Sequence, residues 1–388
     1  MSNPRRFSAS LFALVLTVSS AAHAAVAIGP ETAISPDVAG VSQHAPDVSE
    51  LGTVIWREDV GTMSIIRLKS IGGNLIEGGN GILSSNAFPG SRPSISVGWL
   101  RNVYVWEELS PLGGAIHDMV IRGEGPDIPP PPPSALLRNL SAGFSANPSV
   151  ACGPSNCLVF SNAGTFLQEN SADTISVPFP AGSTGSAVWT DARFLATYAV
   201  QNQSPCFGGI CNVAPNLRLA EVDSSGPHDL VADGSLGSSA PQSRPSIALN
   251  GSVAVLATIE GGDAWFVPVD LPDSVAHAPI ALDEREEWAT DSIDISFSGN
   301  RFLVVWSSTD ASGTRHDISA AVLDPSGRSI ETGPFLIASE GISPAVARLG
   351  YGQFAIVYEK ETGTALAPHS RVMFRLVNVQ PRFRSVRR

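Results

Sequence analysis

Lysine is almost absent from this chain of 388 residues, in which Lys69 and Lys360 are the only two. Acidic residues outnumber basic ones, 36 against 24. The formal net charge is −12. It becomes about −14 if the N-terminal segment that contains Arg5 and Arg6 is cleaved off, as predicted below. Contacts with phosphate groups dominate the affinity of proteins for nucleic acids, and a surface this acidic repels phosphate groups. Nucleic acid is therefore excluded as a partner, which leaves a protein, a glycan or a small anionic ligand.

Long apolar runs are missing after the first 24 residues. Arg5 and Arg6, the apolar run 11–18 and Ala22-His23-Ala24 follow the order of a secretory signal peptide that ends in an A-x-A cleavage site. The run is too short to cross a bilayer, and we expect no membrane span. The sequence predicts a signal peptide over residues 1–24 and an exported protein, extracellular or periplasmic. An N-terminal anchor is the alternative.

Common catalytic motifs are also missing. The chain has no H-E-x-x-H, no G-x-S-x-G and no P-loop. We therefore expect no cofactor, and whether the protein is an enzyme at all stays open.

The four cysteines form two pairs with the same short spacing, Cys152/Cys157 and Cys206/Cys211. Zinc sites rarely use this spacing, and no histidine lies close by, so we expect no metal. Disulfides are favoured in an exported chain. We predict the local disulfides Cys152–Cys157 and Cys206–Cys211, with cross-pairing between neighbouring repeats as the alternative.

What the chain does have is a motif that returns about every fifty residues. It is an apolar strand after a proline, a turn, and an apolar run that ends in an aromatic residue. The leading prolines are Pro46, Pro93, Pro148, Pro245 and Pro344. The last two gaps are nearly double the first two, and each contains a repeat without the proline, at 186–198 and 292–306. The repeats therefore number seven, which is typical of a β-propeller or another array.

Each repeat also offers a third strand, and a weaker fourth follows a Gly turn, as at 76–85 in the first repeat and 333–339 in the sixth. No segment of twelve or more residues after the N-terminal segment has a helical apolar stripe. Four strands in about fifty residues make one propeller blade. We predict an all-β, seven-bladed β-propeller with four-stranded blades over residues 25–380. A short basic tail, 381–388, follows and is expected to be disordered.

The two ends of the chain predict how the ring closes. The last repeat lacks a fourth strand, while an extra piece near the N-terminus, Gly29-Pro30-Glu31-Thr32-Ala33-Ile34-Ser35, matches the fourth-strand piece at 333–339 in its Gly, Pro and final Ser. An N-terminal strand on the last blade would remove a free sheet edge. We therefore predict that residues 27–35 pair with residues 371–379.

The repeats resemble those of secreted bacterial β-propellers with a degenerate Pro-x-Val/Ile…Leu-Val-Val-Trp motif, written here as Phe302-Leu303-Val304-Val305-Trp306 in one repeat. The resemblance covers roughly residues 27–379. It implies a fold and not an activity. The patterns of WD40 and kelch repeats are not present.

Arginines and acids near the first strands are the candidate site residues. Arg92 and Arg244 lie in identical pentapeptides of the second and fifth repeats, Ser-Arg-Pro-Ser-Ile. In a propeller they would nearly face each other at the channel mouth, where two guanidinium groups could hold an anion. Pairing of each arginine with an acid of a neighbouring blade is the alternative. Asp47 and Asp294 are the acids considered for hydrolysis.

Two His-Asp pairs, His117-Asp118 and His316-Asp317, could orient a base or bind a metal. They occupy the same place in their repeats, so kinship between the repeats explains them better. The sequence favours a secreted module for binding or scaffolding. The alternative is a carbohydrate-active hydrolase or lyase that uses the channel mouth.

Overall fold

A computed structural model of the chain is built from 32 β-strands, with no helix in the part that it describes. That part comprises residues 24–35, 37–38, 40–71, 81–98, 102–109, 117–124, 135–137, 148–161, 164–169, 173–180, 184–200, 203–206, 209–212, 216–232, 235–236, 245–283, 285, 287–364 and 367–380. Residues 1–23 of the predicted signal peptide, the basic tail and Arg244 fall outside these ranges.

The first three sheets each have four antiparallel strands in chain order. Two short strands precede them, β1 (Ala25–Ile28) and β2 (Thr32–Ala33). Sheet 1 contains β3 (Val41–Val48), β4 (Thr53–Val60), β5 (Met63–Ser70) and β6 (Gly81–Ser84). Sheet 2 contains β7 (Ser94–Ser96), β8 (Asn102–Leu109), β9 (His117–Glu124) and β10 (Ala135–Leu137). Sheet 3 contains β11 (Ser149–Cys152), β12 (Asn156–Ser161), β13 (Gly164–Glu169) and β14 (Asp173–Val177).

A separate hairpin interrupts the next sheet. Chain order runs through β15 (Thr184–Trp189), β16 (Phe194–Val200), β17 (Gln203–Cys206), β18 (Gly209–Asn212), β19 (Asn216–Asp223) and β20 (Gly226–Asp229). Strands β17 and β18 pair with each other, and the remaining four form sheet 4. Sheet 5 contains β21 (Ser246–Asn250), β22 (Val253–Glu260), β23 (Asp263–Asp270), β24 (Val275–Ala276) and β25 (Ile280–Ala281).

The last two sheets have the longest strands. Sheet 6 contains β26 (Trp288–Ser298), β27 (Arg301–Asp310), β28 (His316–Leu323) and β29 (Ile330–Ser339). Sheet 7 contains β30 (Gly341–Gly350), β31 (Gln353–Thr364) and β32 (Ala367–Gln380), and it also takes β1 and β2. Both N-terminal strands pair with β32, with Ala27 opposite Asn378 and Ala33 opposite Met373. The predicted pairing of residues 27–35 with residues 371–379 is confirmed.

The prediction of seven four-stranded blades is met by five of these sheets and is wrong in strand number for sheets 5 and 7, which have five strands each. In both sheets the outermost strand is split into two pieces. Pro279 lies between β24 and β25, and Pro30 lies between β1 and β2. Because proline has no backbone N–H group to donate to a neighbouring strand, the ladder of hydrogen bonds between strands is interrupted at Pro30 and Pro279.

The hydrophobic core lies between consecutive sheets. Phe266 of sheet 5, for example, shares a buried cluster with Phe302 and Trp306 of sheet 6. The cluster that contains Trp56 of sheet 1 also contains Val357 of sheet 7. The first strands follow the same order, each next to the first strand of the following sheet, with β30 returning to β3. The small sheets are therefore arranged as in a β-propeller.

Candidate functional site

Several polar side chains lie on one face of the ring. The start of a first strand lies opposite the end of the second strand, as in the pairing of Val41 with Val60, and the third strand begins next to that end. The connections into the first strands and the turns between second and third strands therefore share one face, which we call the connection face. Arg92, Asp283 and His316 belong to it by their position.

Asp47 ties sheet 1 to sheet 2. Its Oδ2 accepts hydrogen bonds of 3.0 Å from Ser94 Oγ and 3.0 Å from the backbone N–H of Ile95. Ser94 in turn links sheet 2 to sheet 3, because its Oγ accepts a 3.4 Å hydrogen bond from the backbone N–H of Val150. Asp47 and Ser94 both follow the repeat proline, so this position carries the polar link between neighbouring sheets.

Asp294 of sheet 6 links its own sheet to both neighbouring sheets in the same way. Its Oδ1 accepts a 2.6 Å hydrogen bond from Ser246 Oγ in sheet 5, and its Oδ2 accepts a 2.8 Å hydrogen bond from the backbone N–H of Val346 in sheet 7. Both acids considered for hydrolysis are thus engaged by backbone amides and hydroxyl groups of neighbouring sheets. Charge-assisted hydrogen bonds of this kind hold a carboxylate in place.

Arg92 has an exposed side chain directly before β7. The backbone next to it is anchored from sheet 1, because Arg57 Nη1 donates a 3.0 Å hydrogen bond to the carbonyl oxygen of Ser91. Arg244 lies outside the described residues. The facing pair Arg92 and Arg244 therefore stays a prediction.

Asp283 anchors a cluster at the connection into sheet 6. Its side chain is 7% exposed and accepts hydrogen bonds from Arg285 Nε (2.9 Å), Arg285 Nη2 (2.7 Å) and Trp306 Nε1 (3.1 Å). Burial opposes ionisation of Asp283, but the hydrogen bonds from Arg285 and Trp306 and the charge of Arg285 outweigh it and lower its pKa. An ionised, buried carboxylate therefore fixes the Arg285 guanidinium.

Trp288, the first residue of β26, lies beside two guanidinium groups. The Cζ atom of Arg285 is 4.3 Å from the centroid of the indole ring, and that of Arg315 is 5.4 Å away. Both distances are within the range of cation–π attraction. Asp317 Oδ2 is 3.7 Å from Arg285 Nη1 and 3.7 Å from Arg315 Nη2. We call Asp283, Arg285, Trp288, Arg315 and Asp317 the arginine–tryptophan cluster.

A second polar cluster joins sheet 1 to sheet 7. His44 Nδ1 is 3.0 Å from Glu359 Oε2, and His44 Nε2 is 3.5 Å from Asp59 Oδ2. Glu359 also accepts a 2.6 Å hydrogen bond from the backbone N–H of Ala45, whose φ of 49° lies in the left-handed region. The buried Glu359 thus holds a strained bulge of the first strand, and this cluster fastens the place where the ring closes.

The two His-Asp pairs have the repeat relationship that the sequence predicts, since His117 begins β9 and His316 begins β28. Asp317 is buried, whereas His316 is half-buried and its Nδ1 lies 2.8 Å from Thr309 Oγ1. The side chains of His117 and Asp118 lie outside the described residues. Among the residues that the structure describes, no group of three or more His, Cys, Asp or Glu side chains is placed to hold a metal ion.

The disulfide Cys152–Cys157 is confirmed, and it links the end of β11 to the start of β12. Cys206 and Cys211 belong to the separate hairpin β17–β18, and their side chains lie outside the described residues. Their disulfide stays a prediction. Within the described part of the chain, no helix is long and apolar enough to cross a bilayer.

The comparisons with known proteins show the fold of the chain and do not show its function. No protein-family model and no curated protein matches the sequence. The chain is similar to a protein of unknown function from Dyadobacter fermentans DSM 18053, with 12% identity, a TM-score of 0.55, and coverage of 92% of this chain and 99% of that one. It is also similar to the phage phi92 endosialidase, with 10% identity, a TM-score of 0.52, and coverage of 93% and 70%. Identities this low show a shared β-propeller fold alone.

Sequence reasoning missed the arginine–tryptophan cluster. Its members come from the connection 283–287, from Trp288, from the turn before β28 and from Asp317 at the start of β28, and the spacing of these segments follows no motif. The one signal in the sequence is the charged run Asp283-Glu284-Arg285-Glu286-Glu287 directly before an aromatic residue. Such a run normally indicates a solvated surface.

Proposed function

We propose that the protein is an exported, seven-bladed β-propeller that acts as a binding or scaffold module. The seven repeats support the blade number, and the core cluster between the last sheet and the first supports a closed ring. The signal-peptide pattern of residues 1–24 supports export. N-terminal sequencing of the secreted protein tests export, and we expect the mature chain to begin at Ala25.

The engagement of Asp47 and Asp294 is the observation that carries the proposal of binding over hydrolysis. A glycosidase needs two carboxyl groups that flank the same bond and exchange protons with it. Here each carboxylate accepts hydrogen bonds from a neighbouring first strand, and sheet 7 lies between the two acids. These carboxylates therefore serve the rigidity of the ring.

The connection face is the proposed binding face, and Arg92 with Arg244 is its proposed anion site. The exposed Arg92 stands on a backbone that Arg57 holds in place. In a chain with a net charge of −12, two arginines are most useful for a specific anion, because the surrounding acids repel unspecific ones.

A glycan array, run in parallel with a panel of polysaccharide hydrolysis assays, tests this function. We expect ligand capture without turnover, and loss of capture in the double variant Arg92→Gln/Arg244→Gln with an unchanged melting temperature. A lower melting temperature with unchanged capture would mean that the two arginines only join blades.

A carbohydrate-active hydrolase or lyase is the alternative. The similarity to an endosialidase concerns the fold alone and identifies no catalytic residue in this chain. Release of reducing ends by the wild-type protein, abolished in Asp47→Asn or Asp294→Asn, would establish the enzyme and overturn the binding module.

A further inference from the structure

The arginine–tryptophan cluster holds its two arginines very differently. Arg285 makes a bidentate pair with the buried Asp283. The Arg315 side chain is 63% exposed, and among the described residues it makes no hydrogen bond, since its contact with Asp317 is 3.7 Å long. A separation of that length is too great for a direct hydrogen bond. Arg315 therefore presents its donors at the surface.

Trp288 and Asp317 fix where the Arg315 guanidinium stands. The Arg315 Cζ atom is 5.4 Å from the centroid of the Trp288 indole ring, which attracts the guanidinium group. The carboxylate of Asp317, whose side chain is only 6% exposed, attracts the same group from 3.7 Å. Asp317 Oδ1 is buried and has no hydrogen-bond partner in the described part of the chain. The cluster thus holds an ordered cation at the surface, next to a buried carboxylate.

Acids around the cluster limit which anion can approach it. Asp310 accepts a 3.2 Å hydrogen bond from the backbone N–H of Arg315, and Asp291 is exposed one strand away. Carboxylates repel ligands of high negative charge and accept hydrogen bonds from hydroxyl groups. A ligand with one carboxylate and several hydroxyl groups matches this surface best.

We propose that Arg315 and Trp288 form a binding site for a singly charged sugar acid, such as a hexuronate residue of a glycan. The carboxylate pairs with the Arg315 guanidinium fork, and the hydroxyl groups donate to the neighbouring carboxylates. The site rests on the proposed binding function and adds to it a location separate from Arg92 and Arg244.

Isothermal titration calorimetry of the full mature chain with glucuronate, glucose and acetate tests the site. We expect glucuronate to bind more tightly than glucose and acetate, and Arg315→Gln to weaken it about tenfold or more, because a charge-assisted pair is lost. The matched control is Arg328→Gln, another exposed arginine of the same sheet, paired with Asp270. It should leave the affinity within about twofold.

Three results would overturn the site. They are absence of glucuronate binding, equal binding of acetate and glucuronate, and equal affinities of wild type and Arg315→Gln. A glycan-array ligand that is captured equally by wild type and Arg315→Gln would sink this inference alone and leave the binding module standing.

Discussion

The hydroxyl group of Tyr358 donates a 2.7 Å hydrogen bond to Glu31, a residue 327 positions earlier in the sequence. Lys360 Nζ lies 2.9 Å from the same carboxylate, and Arg375 Nη2 lies 3.4 Å from it. Glu31 stands between β1 and β2, so these contacts hold the N-terminal segment on the last sheet. Glu31 thereby takes the role that Asp229 has in sheet 4, where it accepts a 2.8 Å hydrogen bond from Tyr198.

Replacement of Glu31 by Gln should lower the free energy of unfolding by about 1–3 kcal/mol, because Lys360 and Arg375 then lose their common charged partner. Urea denaturation measures the difference. The control is Glu50→Gln, which breaks the exposed pair of Glu50 with Arg348 and should change stability by less than about 1 kcal/mol. Equal effects of the two substitutions would show that Glu31 does not hold the N-terminal segment.

The stabilisation by Glu31 should depend on pH. Burial opposes its ionisation, but the hydrogen bonds from Tyr358 and Lys360 and the charges of Lys360 and Arg375 lower its pKa below the ordinary value of 4.5. A carboxyl group with a lower pKa in the folded state stabilises fully above its unfolded pKa and loses that contribution as the pH falls through the folded pKa. The stability difference between wild type and Glu31→Gln should therefore shrink below about pH 4. A difference that stays constant down to about pH 2 would contradict this origin.

Gly299 should be far less replaceable than Gly251, although both have left-handed φ values, 62° and 53°. A Cβ atom on Gly299 would lie 2.3 Å from the backbone N of Gly352, whereas one on Gly251 would meet nothing within 4 Å. We expect Gly299→Ala to cost about 2–5 kcal/mol and Gly251→Ala about 1 kcal/mol, measured by urea denaturation. Similar costs would mean that the turns of sheets 6 and 7 are not in contact.

The cysteines should all be oxidised in the folded protein, as Cys152–Cys157 and Cys206–Cys211. Both pairs lie within hairpins, where the chain itself brings the cysteines close together. Peptide mapping under non-reducing conditions identifies the linked peptides. Free thiols, or a peptide that joins Cys157 to Cys206, would refute the local pairing.

The repeat made the strands and the closure of the ring predictable from the sequence. The apolar run 302–306 is part of β27, and the Gly and Pro shared by residues 29–30 and 333–334 located the N-terminal strand that pairs with β32. The split of the outer strands was not predicted, although Pro30 and Pro279 were visible, because a weak edge strand has no strong apolar pattern to interrupt.

The roles of polar residues were harder to predict, because they depend on contacts between repeats. Asp47 and Asp294 are acids in first strands, and the sequence does not show that their oxygens meet the amides of Ile95 and Val346. Arg315 was equally hidden, since its neighbour Trp288 lies 27 positions away in the sequence. Side chains that act between blades are positioned by the twist and spacing of whole sheets.

The central claim is that the N-terminal strand completes the last sheet and closes a single ring, and a cysteine pair tests it most directly. Ala27 and Asn378 are opposite each other in the pairing of β1 with β32. In the double variant Ala27→Cys/Asn378→Cys, oxidation of the folded protein should link these two positions, because opposite residues of paired strands are within disulfide reach. The control Ala27→Cys/Ser225→Cys, with its second cysteine in a turn of sheet 4, should remain unlinked. Efficient linkage of the first pair alone is the predicted result, and free thiols at positions 27 and 378 in the folded protein would contradict the closed ring.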